Sequence, residues 1–253
     1  MLLEAKKISI KLEGRPVLHE VDLALRDREL VGLAGPNGAG KSTLLRILAG
    51  SLKADSGSVL FRGSTKRAEA REIAYLPQQR EIHWPILVRR LVALGRIPHL
   101  MPWRAPGERD EKAISQAMRE TDTLGLADRR IDHLAGGEKG LVFLARALAT
   151  EPSILLADEP VQGLDPAHGI QVMELLKQFS ERSGGAIVVM HDLTLAARFC
   201  HRLVLLHEGK VLASGQPAEV LSPKNLRQSY HIEARYGDSD AFYVVPWERI
   251  RRT

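Results

Sequence analysis

Unbroken apolar runs alternate along this chain with stretches of helical periodicity. ELVGLA at 29–34, ILLAD at 154–158 and AIVVM at 186–190 are short runs closed by polar or turn residues. Such runs predict strands covered on both faces, as in a parallel sheet. STLLRILA at 42–49 places Leu44, Leu45 and Leu48 on one helical face, and KGLVFLARALA at 139–149 has the same spacing. Before residue 75 the pattern is different: KKISIKL, EVDLAL and SGSVLFRG read as an antiparallel β region around the first buried strand and its helix, with a hairpin turn at 55–58. Residues 78–135 read as a helical insertion broken by Pro98, Pro102 and Pro106, with a charged amphipathic helix over 108–126. Residues 136–220 return to the α/β pattern, and 232–236 with 241–245 predict a terminal β-hairpin. The expected organisation is one α/β domain over 1–230, then a short extension over 231–253. No internal repeat, low-complexity tract or long linker interrupts it.

Composition narrows the class. The 253 residues are 44% apolar and 26% charged, as in globular proteins. No apolar run approaches the ~18 residues that would cross a bilayer. The opening MLLEAKKISI has neither the apolar core nor the cleavage site of a signal peptide, so a cytoplasmic location is expected. The single cysteine, Cys200, excludes an internal disulfide and a cysteine-based zinc site. The net charge of +5 is spread along the chain apart from a small cluster at Arg249, Arg251 and Arg252. No basic run interleaves with aromatics, so the expectation is a solvated surface and no nucleic-acid partner. Mild attraction to an anionic membrane leaflet also fits.

The chemistry is concentrated in motifs at the ends of the apolar runs. Gly35-Pro36-Asn37-Gly38-Ala39-Gly40-Lys41-Ser42-Thr43 fills every fixed position of the phosphate-loop pattern, between a strand and a helix. Glycines there let successive N–H groups converge on phosphate oxygens at a helix N-terminus. Lys41 would reach the β- and γ-phosphates, and the Ser42 hydroxyl would ligate Mg²⁺. Asp158, closing the second run, is placed to hold the same ion, and Glu159 is the candidate general base for an attacking water. Gly136 and Gly137 open the helical stretch that follows and form a second backbone anion site. His191 follows the third run and is a candidate γ-phosphate contact.

The order of phosphate loop, YLPQ at 75–78, LAGGE at 134–138, ILLADEP at 154–160, GLD at 163–165 and His191 resembles the ATP-binding cassette (ABC) ATPases over residues 1–230. The resemblance implies an α/β fold: a P-loop NTPase core with an N-terminal antiparallel β subdomain and an inserted helical subdomain. It implies an ATPase with ATP and Mg²⁺ as cofactors, working as a head-to-tail dimer of two copies. Gln78 would touch Mg²⁺ and the attacking water. Ala135, Gly136, Gly137 and Glu138 would cap ATP on the facing subunit, Asp165 would cross the interface, and His191 would act as the switch histidine. WPILV at 84–88 and LGRIPH at 94–99 resemble ATPases serving importers of iron–siderophore, haem and cobalamin, as do residues 220–226 with Tyr230. Integral membrane permease subunits would then be the partners, with a periplasmic or surface binding protein beyond them, and the chain would sit peripherally on the cytoplasmic face of the cell membrane. Trp84, Trp103, Leu87, Leu91 and Leu94 are the candidate anchors for the permease, although for the leucines a place in the subdomain core is the better reading.

Two departures keep the function open. Leu12 stands where such ATPases carry an adenine-stacking aromatic, which predicts weaker ATP binding and base selectivity. Ala135 replaces the signature serine, removing a hydroxyl donor to the opposing γ-phosphate. Three functions compete: the ATPase of a membrane transporter, an importer before any other transporter class; a soluble ABC ATPase acting on ribosomes or DNA; and a catalytically weak regulatory nucleotide-binding module.

Overall fold

The computed structural model describes residues 1–65, 68–78, 82, 84–101, 105–238 and 242–250. Two sheets form the body. β1 (Leu3–Leu12), β2 (Arg15–Leu25) and β4 (Ser56–Phe61) make an antiparallel sheet in the order β2-β1-β4. β3 (Leu30–Ala34), β5 (Ile73–Leu76), β6 (Ile154–Asp158), β7 (Gly185–Val189), β8 (Arg202–His207) and β9 (Lys210–Gly215) make a second sheet in the order β5-β6-β7-β3-β8-β9. Only β9 runs antiparallel to its neighbour there.

Every residue of β3, β6 and β7 is buried, which is why these strands read as unbroken apolar runs. Their alternate residues serve two cores. Val31, Leu33, Ile154, Leu156, Ile187 and Val189 face α1 (Lys41–Leu48) and the antiparallel sheet. Leu30, Ala34, Leu155, Ala157, Ala186 and Val188 face the opposite layer. That layer contains α4 (Gly136–Leu148), α5 (Pro166–Ser183) and α6 (Leu193–Phe199), with α2 (Val88–Ala93) and α3 (Glu108–Glu120) packed on α4. The chain closes with α7 (Pro217–Val220), α8 (Pro223–Tyr230) and the hairpin of β10 (Ile232–Gly237) with β11 (Tyr243–Arg249). The expected hairpin therefore forms, and Val244 buries against the helical layer. Its turn at 239–241 lies outside the described residues.

Two sequence expectations are corrected. Residues 56–58 are not a turn: Lys6 pairs with Ser58 and Ser9 with Ser56 inside the sheet. Backbone pairing with β1 overrides the local turn preference of Ser and Gly. The helix expected over 108–126 stops at Glu120, where the Thr121 hydroxyl donates to the Ala117 carbonyl and Asp122 turns left-handed at φ 54°. LGRIPH also forms an internal strut. Arg96 is 1% exposed and donates to Asp110 Oδ1 (2.9 Å), Glu151 Oε2 (2.7 Å) and the Ala149 carbonyl (2.8 Å). His99 Nε2 lies 2.7 Å from the Thr150 carbonyl, so the motif clamps the insertion to the end of α4. Of the proposed anchors, Leu91 is core, Leu87 is half-buried, and Trp84 and Leu94 are exposed. Trp103 and Pro102 lie outside the described residues.

Candidate active site

Four parallel strands end on one edge of the sheet, and each is followed by a candidate side chain. β3 leads into the phosphate loop, β5 into Gln78, β6 into Glu159 and β7 into His191. Register aligns these ends: Leu76 lies opposite Ala157, Asp158 opposite Val189, and Leu33 opposite Val189. The C-terminal edge of such a sheet is where ligands bind in open α/β folds.

The loop is shaped by its neighbours. A Cβ on Gly35, whose φ is 147°, would stand 2.3 Å from the Leu206 carbonyl oxygen, so only glycine fits. Gly35 and Ala39 are buried beneath the loop, Pro36 is half-buried, and Asn37 and Gly38 are exposed. Gly40 caps α1 with no side-chain hydrogen bond to the helix start, which suits that N-terminus to an anion. Lys41 is buried, and its Nζ donates to the carbonyls of Gly35 (2.7 Å) and Pro36 (3.0 Å). Burial pushes its pKa down, while the nearby Glu159 and Asp158 carboxylates pull it up less strongly.

Asp158 is 3% exposed and accepts from Ser42 Oγ at 3.0 Å and, more weakly, from the Tyr75 hydroxyl at 3.4 Å. Burial raises its carboxyl pKa despite those bonds, with the Glu159 charge adding to the rise. Tyr75 is in turn pushed up to about 12, by burial and then by Asp158. A desolvated carboxylate next to a hydroxyl is a hard-oxygen pair, which fits Mg²⁺. Among the described residues no three His, Cys, Asp or Glu side chains gather as a metal cage. Mg²⁺ suits that sparse donor set, because it takes its other ligands from phosphates and water.

Glu159 joins three strand ends. Its Oε1 lies 2.7 Å from His191 Nε2, and its Oε2 accepts from Gln78 Nε2 at 2.9 Å. Gln78 also donates to Gln162 Oε1 at 3.0 Å. Glu159 sits at φ 48°, a left-handed conformation uncommon for a side chain of this kind and a form of strain found at functional sites. A cavity of about 980 Å³ opens over these groups, lined by Asp165 and by Asn37, Gly38 and Gly40 to Thr43 of the loop, with Leu12 and Val17 among its apolar residues.

Ala135, Gly136, Gly137 and Glu138 do not line that cavity. They form the N-terminus of α4, where Glu138 Oε2 accepts from the Ala135 amide at 2.9 Å. Gly137 abuts the His168 ring so closely that a Cβ would lie 2.5 Å from it. His168 Nδ1 in turn lies 2.5 Å from Asp165 Oδ2. Asp165 also caps α5, accepting from the amides of Ala167 and His168, and these bonds, the His168 amide first, hold its pKa low. One histidine therefore ties the Asp165 segment to the start of α4. Sequence reasoning missed Tyr75 as a partner of Asp158, and it missed Gln162 and His168. Only the strand register gives Tyr75 away, and a histidine three residues past Asp165 is the one local signal for the last.

A family profile described as ABC transporter matches residues 18–162. The cobalamin import ATP-binding protein of Halobacterium salinarum is 37% identical over 97% of this chain, and the chain spans 63% of that relative's length. The hemin import ATP-binding protein of Pseudomonas aeruginosa is 40% identical, covering 92% of this chain and 93% of that relative. The achromobactin transport ATP-binding protein of Dickeya dadantii is 35% identical over 96% and 92%. Among solved structures, an inward-facing metal-chelate type ABC transporter matches in fold with TM-score 0.86, 23% identity and 97% of both chains. A dimeric bacterial ABC transporter cassette matches with TM-score 0.73 and 27% identity, covering 85% of this chain and 98% of that one.

Proposed function

From a chain that belongs to the ABC transporter family, we propose the ATP-hydrolysing subunit of an import system for an iron chelate, haem or cobalamin. The observation that carries it is the Gln78–Glu159–His191 arrangement over a phosphate loop and a Ser42–Asp158 pair. The loop amides and the N-terminus of α1 bind the phosphates, and Lys41 exchanges its carbonyl partners for β- and γ-phosphate oxygens. Ser42, Asp158 and Gln78 hold Mg²⁺, which supplies charge neutralisation to the transferring phosphoryl group. Glu159 orients the attacking water and takes its proton, with His191 and Gln78 fixing the carboxylate. Leu12 and Val17 receive the base by apolar contact.

The same reading extends to partners. A second copy arranged head to tail brings its Ala135–Glu138 segment over the nucleotide and its Asp165 across the interface. The position of that segment away from its own cavity supports this. Residues 78–135 dock on integral permease subunits, with Trp84, Ile97 and Met101 as exposed anchors of the insertion. A periplasmic or surface binding protein delivers the cargo, which never touches this chain. The ATPase domain covers 1–230, followed by the extension over 231–253. The protein works at the cytoplasmic face of the cell membrane; no described helix is long and apolar enough to cross it.

Ala135 favours a second reading, a weak regulatory module, and one assay separates the two. Mg²⁺-dependent ATP hydrolysis is measured for the wild type, Glu159→Gln and Ala135→Ser. Activity that disappears in the Glu159 variant and rises in the serine variant supports the transport motor. Activity no greater than that of Glu159→Gln in both other proteins, with permease present, overturns it.

A further inference from the structure

The phosphate loop is held from a part of the chain far from any nucleotide motif. The Gly35 amide donates to the Tyr230 hydroxyl oxygen at 2.6 Å, across 195 positions of sequence. The Gly35 carbonyl accepts from Lys41 at 2.7 Å. The first loop residue, whose φ of 147° tolerates no side chain, is thus tied on both sides. The Tyr230 phenol is pushed up to about 12 by burial, the Gly35 hydrogen bond opposing less strongly, so at neutral pH it is a hydroxyl and not a phenolate.

The phenol is itself firmly placed. Tyr230 packs against the helical core at the end of α8, where Leu226 and Ser229 are buried and Ser229 Oγ donates to the Asn225 carbonyl at 2.6 Å. Beyond it, the Val244 carbonyl of β11 accepts from Thr194 Oγ1 at 2.6 Å, on the helix that begins just after His191. The C-terminal elements therefore bond to both the phosphate loop and the segment following the switch histidine.

We propose that Tyr230 is a positioning residue for the phosphate loop, its hydroxyl oxygen setting the Gly35 amide and so the aim of the loop N–H groups and Lys41. The assignment rests on the nucleotide-binding reading above. It matters most when nucleotide is bound. Lys41 must release the Gly35 carbonyl to reach phosphate, and the Tyr230 bond then remains as the tie on that residue. Without the hydroxyl the buried amide lacks an acceptor, which is costly, and the loop relaxes away from the geometry that binds phosphate.

The test compares Tyr230→Phe with Ser229→Ala, a neighbouring loss of a buried hydroxyl that does not touch the loop. Binding of Mg-ATP is measured by calorimetry, hydrolysis by phosphate release, and folding by thermal melting. For Tyr230→Phe the dissociation constant and KM for ATP rise about fivefold, while kcat at saturation stays within about twofold. Ser229→Ala lowers the melting temperature and leaves ATP affinity unchanged. A Tyr230→Phe protein with wild-type affinity and KM overturns the positioning role and leaves the ATPase reading intact. A wild-type protein that does not bind Mg-ATP overturns both.

Discussion

Asp158 carries the largest conflict between stability and function at the level of single residues. In the fold its carboxyl holds its proton more tightly than in the unfolded chain, because burial outweighs the Ser42 and Tyr75 hydrogen bonds. Its charged form therefore costs folding stability, and that cost fades as pH falls through the raised value. Asp158→Asn should melt at a higher temperature than the wild type at pH 7, and the advantage should shrink toward about pH 4. The same variant should lose Mg²⁺-dependent hydrolysis, so equal melting temperatures at neutral pH would refute the account. Ala135 offers a second test. It is the N-cap of α4 and has no side-chain oxygen for the helix amides. Ala135→Ser should add about 1 kcal/mol of stability by urea denaturation, in addition to any gain in turnover. Leu12→Tyr should tighten ATP binding several-fold, toward the ~1–3 kcal/mol of a stacked base, and should leave phosphate-only ligands unaffected.

Among the elements, helices and strands differ in how far they can be read locally. β3, β6 and β7 were legible because burial on both faces leaves apolar residues throughout, Asp158 at the end of β6 excepted. The phosphate loop and the start of α4 were legible because their glycines and acidic neighbours are local requirements. The strut through Arg96 was not, since its partners Asp110, Ala149 and Glu151 come from α3 and from beyond the end of α4. An arginine between apolar residues looks exposed until three acceptors converge on it. Asp110→Ala would strip the buried Arg96 of the less exposed of its two counter-charges, Glu151 being half-exposed. The loss is expected to be about 3 kcal/mol by chemical denaturation, with ATP affinity preserved. A shift under about 0.5 kcal/mol would mean that Glu151 and the Ala149 carbonyl suffice.

For the whole molecule, the site is built across long sequence separations and, in the proposed head-to-tail arrangement, is completed by a second copy. Gln78, Glu159 and His191 meet because three parallel strands end in register, not because of any local pattern. The Ala135–Glu138 segment stays outside the cavity it is proposed to serve in a partner. With ATP and Mg²⁺, Glu159→Gln should therefore elute as a dimer in size-exclusion chromatography. Chelation of Mg²⁺ should not block nucleotide binding but should stop hydrolysis in the wild type, and a monomer at every nucleotide condition, permease absent or present, would count against the head-to-tail arrangement.

By itself the sequence determined the fold class, the strand–loop–helix at Gly35–Thr43, and the identity of the charged residues at the strand ends. These are written locally, as glycine requirements and as apolar runs whose length and closure mark buried strands. Only the tertiary structure decided which side chains touch: Tyr75 and Ser42 on Asp158, His191 and Gln78 on Glu159, His168 between Asp165 and Gly137, and Tyr230 on Gly35. The reason is physical. Periodicity records which face of an element is buried, whereas hydrogen bonds between elements depend on strand register and helix docking, which no local stretch of chain contains.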